Sequence, residues 1–362
     1  MTKERNSNLE LLRIFSMLMI VFHHFSMHGE FLYSGAGINV LYLYFIQMWG
    51  KIGVVVFMLI SGYFLVSVQT IKCSKVIKLW LQMFFYSFGI YIVTVAFKLT
   101  DFSAVDFLHS AFPVSSDLWW FASAYFVLYL LSPFINKLLN TMSQKSFIRL
   151  LILETLMWGI IGILSFRGFQ SNELISLTYF YTIGAYIKLY KNDIKLNKGR
   201  NFLYLIIAVV VMYSARVGLQ LIGRKISFLG MYAPYVYELT SPLGITVAVL
   251  LFYLFKNADL GKNKLINIIS SATFGVYLLH DNEYIRSLIW ETVFHIHDYQ
   301  DTLLLIPYSI GVCFMVYVVC TLVELLRIYI LENNYMRLVY KSESKINKAV
   351  NKILAPIYRM MQ

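Results

Sequence analysis

Apolar residues gather along this chain in long runs separated by short polar segments. A run of roughly 18–25 apolar residues crosses a bilayer as a helix, because the helix pairs its own backbone polar groups where no water is present. Ten runs approach or reach that length, at about 9–28, 52–68, 76–99, 118–138, 147–164, 174–189, 202–222, 240–255, 268–289 and 303–330. Residues 34–49 form a further apolar, aromatic stretch that is too short to cross, which predicts an interfacial helix or a re-entrant segment. The pattern predicts an all-α fold: a polytopic membrane helical bundle of about ten transmembrane helices over 1–332, then a basic, amphipathic tail over 333–362.

The charges between the runs supply a direction. Lys and Arg accumulate in cytoplasmic loops. With the N-terminus inside, six segments on the cytoplasmic side hold 22 of the 31 Lys and Arg, among them Lys3, Arg5, Lys72, Lys75 and Lys78. The opposite side holds seven, including Lys51, Arg167 and Arg216, while Arg13 and Arg327 fall inside spans. One helix more or fewer would scramble this alternation, so both termini are expected in the cytoplasm. The first run carries Glu10 and Arg13 and lacks a small-residue cleavage site, so no cleavable signal peptide is expected.

Composition agrees. Hydrophobic residues make up 59% and charged residues 14%, with a mean hydropathy of +0.66; soluble domains sit nearer ~45–50% and ~25%. The 28 Phe and 27 Tyr suit lipid and its interface. Disordered, collagen-like and disulfide-scaffold chains are excluded. A net charge of +12 could suggest nucleic acid, but the charges follow topology, so the expected partners are membrane lipids and no nucleic acid. Cys73, Cys313 and Cys320 are too few and too scattered for a disulfide framework or a thiolate metal site.

An ionisable residue inside a span costs a few kcal/mol or more unless it faces protein or water. Arg13 and His24 are eleven residues apart in the first run. At about 100° per residue they share one helix face, about 16 Å apart along the axis. Glu10 lies one turn below Arg13 and His28 one turn above His24, whereas His23 points about 100° off the stripe. Arg13 taken alone is also a snorkelling anchor paired with Glu10, and His24 a buried, hydrogen-bonded histidine; together they are harder to explain as packing. His24 and His28 also have metal- or haem-ligand spacing, but no intramembrane carboxylate or Cys completes an evident set, and no metal is expected.

These residues, with three further blocks, resemble the acyltransferase-3 family of integral membrane acyltransferases, which modify cell-surface glycans. The family's first helix carries an Arg, ten intervening residues and a His, here Arg13 and His24. Gly50 to Leu65 resembles its second helix, with Ser61-Gly62 in the Ser-Gly position. Leu118-Trp-Trp-Phe121 and Leu131-Ser-Pro-Phe-Ile-Asn136 resemble its fourth, and Thr273-Phe-Gly-Val-Tyr-Leu-Leu-His280 its closing block. The likeness runs from about residue 8 to 332. Where many members carry Arg-x-x-Arg after the second helix, this chain has Lys75-x-x-Lys78, a phosphate binder acting as point charges rather than a bidentate fork. The secreted hydrolase-like domain of some members has no counterpart here, which leaves the acceptor less predictable.

The resemblance implies O-acetyl transfer from acetyl-CoA, the co-substrate, to a sugar hydroxyl of a cell-surface or capsular polysaccharide or its lipid-linked precursor, in a bacterial plasma membrane. Such transfer needs a base for the hydroxyl proton and stabilisation of an oxyanion. An imidazole, with an ordinary pKa near 6.5, suits the first task. The implied catalytic residues are His24, Arg13 and His280. Arg13, Ser61, Lys72, Lys75 and Lys78 would hold acetyl-CoA, and Trp119, Trp120 and Tyr125 would contact the glycan acceptor. The blander readings are positive-inside topology for the lysines, helix packing for Ser61 and Gly62, an aromatic belt for Trp119, Trp120 and Tyr125, and a structural hydrogen bond for His280. The rival class is a transporter or flippase of polysaccharide precursors, for which matched halves and paired Gly/Pro-broken helices would be expected and are not seen.

Overall fold

The computed structural model describes residues 6–33, 37–164 and 172–360. Lys3, Arg5 and Arg167 of the charge alternation, and the first residues of the 34–49 stretch, lie outside the described residues. The principal helices are α1 (Ser7–His28), α2 (Ile38–Leu65), α3 (Cys73–Ala96), a short α4 (Ala104–Ala111), α5 (Trp120–Thr141) and α6 (Gln144–Glu154), which continues as a π-helix to Ile161 and on to Leu164. Then come α7 (Glu173–Tyr190), α8 (Lys198–Gly223), α9 (Pro242–Lys256), α10 (Lys264–Ser271), α11 (Thr273–His280), α12 (Leu305–Arg327) and α13 (Asn333–Met360). Among the described residues there is no strand, and seven helices are long and apolar enough to cross a membrane. The chain is an all-α, multi-pass membrane protein.

Contacts at the helix ends show which ends lie together. At one end Asn263 N donates to Ser7 Oγ (2.9 Å), Tyr63 to Asn192 (2.6 Å), Asn140 to the Val66 carbonyl (2.8 Å), Ser74 to Glu343 (2.7 Å), and Lys78 pairs with Glu332. This basic end thus gathers the starts of α1, α3 and α10 with the finishes of α2, α5, α7 and α12. At the far end Leu32 N donates to Gln300 (2.8 Å), Asn39 to the Thr302 carbonyl (2.8 Å) and Tyr213 to the Leu41 carbonyl (3.0 Å). The starts and finishes of these helices thus fall on opposite ends, as in an antiparallel bundle.

Two boundaries differ from expectation. Residues 38–65 form one 28-residue helix instead of an interfacial stretch followed by a span. Nothing between Met48 and Val54 breaks a helix strongly enough, since Gly50 and Gly53 each cost only about 1 kcal/mol against Ala. Lys51, expected in a loop, therefore lies mid-helix. The ninth expected run breaks at Ala272, and its second helix ends at His280 rather than near Ile289.

Side-chain caps start many of the helices: Asn6, Ser143, Asn172, Asn197 and Asn263 each accept from a backbone N–H of the following turn. At the α2–α7 crossing Gly62 and Gly184 face one another's helix. A Cβ on Gly62 would lie 2.1 Å from the Tyr181 carbonyl oxygen, and one on Gly184 2.2 Å from that of Leu59. Only glycines allow this approach. The buried Asn136 of α5 donates to the Leu65 and Val68 carbonyls at 2.7 Å each and accepts from Tyr181 at 2.6 Å. It satisfies carbonyls that the end of α2 leaves without partners. The Leu131–Asn136 block is thus a clamp between α2, α5 and α7. Arg327 is likewise structural: fully buried on α12, it donates to Glu324 (2.6 Å) and Glu332 (2.6 Å).

Candidate active site

Arg13 and His24 of α1 each border a cavity. Arg13 lines one of about 280 Å³, with Phe57 and Ser61 from α2, Lys78 and Gln82 from α3, Phe121 and Tyr125 from α5, and Ser270, Ser271 and Thr273 at the α10–α11 break. Its guanidinium is 3.4 Å from Glu10, whose carboxylate also accepts from Ser270. Arg13 keeps 28% of its side chain exposed, so the α1 cation is half-buried and its contact with Glu10 is long. Ser61 turns its hydroxyl to the Phe57 carbonyl (2.9 Å) at the wall of this cavity.

His24 lines the second cavity, of about 70 Å³, with Met17, Ile20 and His23 from α1, Gly50, Lys51 and Val54 from α2, Trp120 and Phe121 from α5, and Tyr277 from α11. The hydrogen bonds behind His24 set its tautomer. His280 Nδ1 is 2.6 Å from the Val276 carbonyl, which can only accept, so Nδ1 carries the proton. In neutral His280 the other nitrogen, Nε2, is then an acceptor, and it lies 2.8 Å from His24 Nδ1. His24 therefore donates through Nδ1 and is left with a lone pair on Nε2. Asp281 sits 3.7 Å from His24 Nδ1 and 3.2 Å from His28 Nε2.

The structure brings Arg13, Ser61, Lys78 and Tyr125 together around the larger cavity, and His24 and Trp120 around the smaller, with His280 buried behind His24. It does not bring the remaining candidates to either. Lys72 and Lys75 are exposed at the start of α3 and line neither cavity, and Lys78 is already paired with Glu332. Trp119 is buried in the core beside the cavities, so the expected wall of Trp119, Trp120 and Tyr125 is divided among three surroundings.

Three features were not read from the sequence. His23, off the stripe by helix angle, still lines the histidine cavity, because α2 crosses there at Gly50. A Cβ on Gly50 would lie 2.3 Å from the His23 ring. His23 Nδ1 donates to the Gln47 carbonyl at 2.6 Å. Lys51 lines the same cavity and pairs with Glu238 at 3.0 Å. Asp281 adds the carboxylate that seemed missing, since His24, His28 and Asp281 offer ligand atoms within 4.8 Å of one another. Metal binding through His24 Nδ1 and its bond to His280 exclude each other, because that nitrogen would have to offer a lone pair to the metal and an N–H to His280.

The helical membrane bundle holds a hydrogen-bonded imidazole pair beside the smaller of two adjoining cavities. The chain belongs to the acyltransferase-3 family: the family model described as an acyltransferase domain matches residues 6–325. No curated protein and no solved structure matches the chain. It is therefore an integral membrane acyltransferase.

Proposed function

We propose that the protein is an O-acetyltransferase of a bacterial plasma membrane, with both termini in the cytoplasm. It moves an acetyl group from cytoplasmic acetyl-CoA to a sugar hydroxyl of a cell-surface or capsular polysaccharide or its lipid-linked precursor. The observation that carries this reading is the tautomer of His24: its Nδ1 is committed to His280, so the nitrogen left to take a proton is Nε2, on the imidazole that borders the smaller cavity.

Acetyl-CoA enters from the basic end, where the half-exposed Arg13 and Lys78 meet its anionic groups, and Lys72 and Lys75 attract it at longer range. The thioester reaches past Ser61 and Tyr125 towards His24. The acceptor approaches the histidine cavity beside Trp120, whose ring offers a face for a sugar to pack on, and Lys51. His24 Nε2 takes the hydroxyl proton as the sugar oxygen bonds to the acetyl carbon. The tetrahedral oxyanion collapses, the carbon–sulfur bond breaks, and His24 returns the proton to the leaving sulfur as the CoA thiol. Asp281, at 3.7 Å, favours the imidazolium in between, and His280 holds the ring in orientation.

Purified protein in liposomes, given labelled acetyl-CoA and base-deacylated polysaccharide from the source cell, should label the polysaccharide and release one CoA thiol per acetyl group. Passage of a lipid-linked glycan across the vesicle membrane, with no label transferred, would replace this reading with the transporter one.

A further inference from the structure

The two cavities share one lining residue, Phe121, while Tyr277 closes the smaller one beside it. Both rings are buried and meet edge to face, with centroids 5.8 Å apart. Phe121 is held from further sides as well: by Phe57 at 6.4 Å, by Trp120 at 5.9 Å, and by Tyr125, stacked one helical turn away at 6.0 Å. A ring wedged this way is a fixed partition. A group extending from the arginine cavity towards His24 has to lie against it.

We propose that Phe121 sets the length of the acyl group, restricting transfer to acetyl. The inference rests on the acyl-transfer reading of the site. The space beside His24 is about 70 Å³. That is a quarter of the about 280 Å³ around Arg13, so the narrowing between the two spaces falls at Phe121. Each further methylene has to displace the Phe121 ring or the acceptor hydroxyl. Met17, Ile20 and Val54, themselves buried, also line the smaller cavity. Replacing Phe121 by a small residue joins the two cavities and supplies the missing room on the side from which the donor comes.

The test compares acetyl-CoA, propionyl-CoA and butyryl-CoA as donors to base-deacylated polysaccharide, for the parent, Phe121→Ala and Phe121→Leu, per molecule of membrane-inserted protein. One methylene in a snug apolar pocket discriminates by about 10–200-fold. Phe121→Ala is therefore expected to raise the butyryl-to-acetyl ratio at least about tenfold, and Phe121→Leu to raise it in the same direction by less. Phe121→Leu keeps most of the packing and reports if the alanine variant fails to insert. Acetyl transfer by the parent and Phe121→Leu with an unchanged ratio would overturn the role of Phe121 and leave the acyl-transfer reading standing, as would a parent that uses butyryl-CoA as well as acetyl-CoA. A parent that transfers no acyl group from any of the three donors would overturn both.

Discussion

Around Arg13 the site is roomy and loosely tied, whereas around His24 it is small and its imidazoles are already bonded to one another. The arginine has a half-exposed side chain and a 3.4 Å contact with Glu10, beside a cavity of about 280 Å³ edged by hydroxyls. The histidine has a 2.8 Å bond to a fully buried His280, itself fixed by a backbone carbonyl, beside a cavity of about 70 Å³. Loosely held, hydrated cations adapt to a flexible anionic ligand, while reacting groups need orientation set in advance. Under the proposed function the contrast would divide the work between two ends of one helix, with donor binding at Arg13 and proton transfer at His24.

The largest expected effect of breaking that division is at His24. General-base assistance is worth about 10²–10⁴ in rate, so His24→Ala should lower kcat by that factor, measured as acetylated glycan per molecule of inserted protein. A packing histidine would instead lower only the amount of folded protein. Next is Arg13→Ala, which should raise the KM for acetyl-CoA about 10–100-fold, the equivalent of one charge-assisted hydrogen bond of about 1.5–3 kcal/mol. Initial rates across a donor titration check it, and an unchanged KM would remove Arg13 from the donor site.

Asn136→Ala addresses the scaffold between the two ends. It strips partners from two carbonyls at the end of α2 and from the Tyr181 hydroxyl. A loss of about 1–3 kcal/mol in stability is expected, read as a lower Tm in detergent, with turnover of the folded protein near that of the parent. The smallest effect is expected from the Lys72→Ala, Lys75→Ala double variant, because both lysines are exposed and outside the cavity. Its donor affinity should fall by about twofold or less at physiological salt, and the difference should vanish as salt screens it. A large, salt-insensitive loss would place those lysines in direct contact with the donor.

Helix periodicity alone put Arg13 and His24 on one face, and the hydropathy runs anticipated an all-α membrane bundle, in which seven helices among the described residues are long and apolar enough to cross. Other parts of the site depend on which helices cross where. His280 is 256 residues from His24, and no local pattern announces that their rings meet. His23 was set aside by its angle on α1, yet a cavity that wraps more than one face reaches it where Gly50 lets α2 come close. Arg327 read as an unexplained charge in a span until Glu324 and Glu332 closed on it. The aromatic stretch before Trp49 is too short to cross by itself, and only the fold joins it to the 52–68 run as one helix. Phe121 was visible only as part of a block, and its position between two cavities is a property of shape that a string of residues does not carry.

The division of labour along α1 is tested most directly by measuring acetyl transfer by Arg13→Ala and His24→Ala side by side as acetyl-CoA is raised to saturation. The expected result is that Arg13→Ala climbs towards the parent's turnover while His24→Ala stays about 10²-fold or more below it at every donor concentration. Recovery of His24→Ala at high donor, or a His24→Ala protein as active per molecule as the parent, would contradict the assignment of proton transfer to His24.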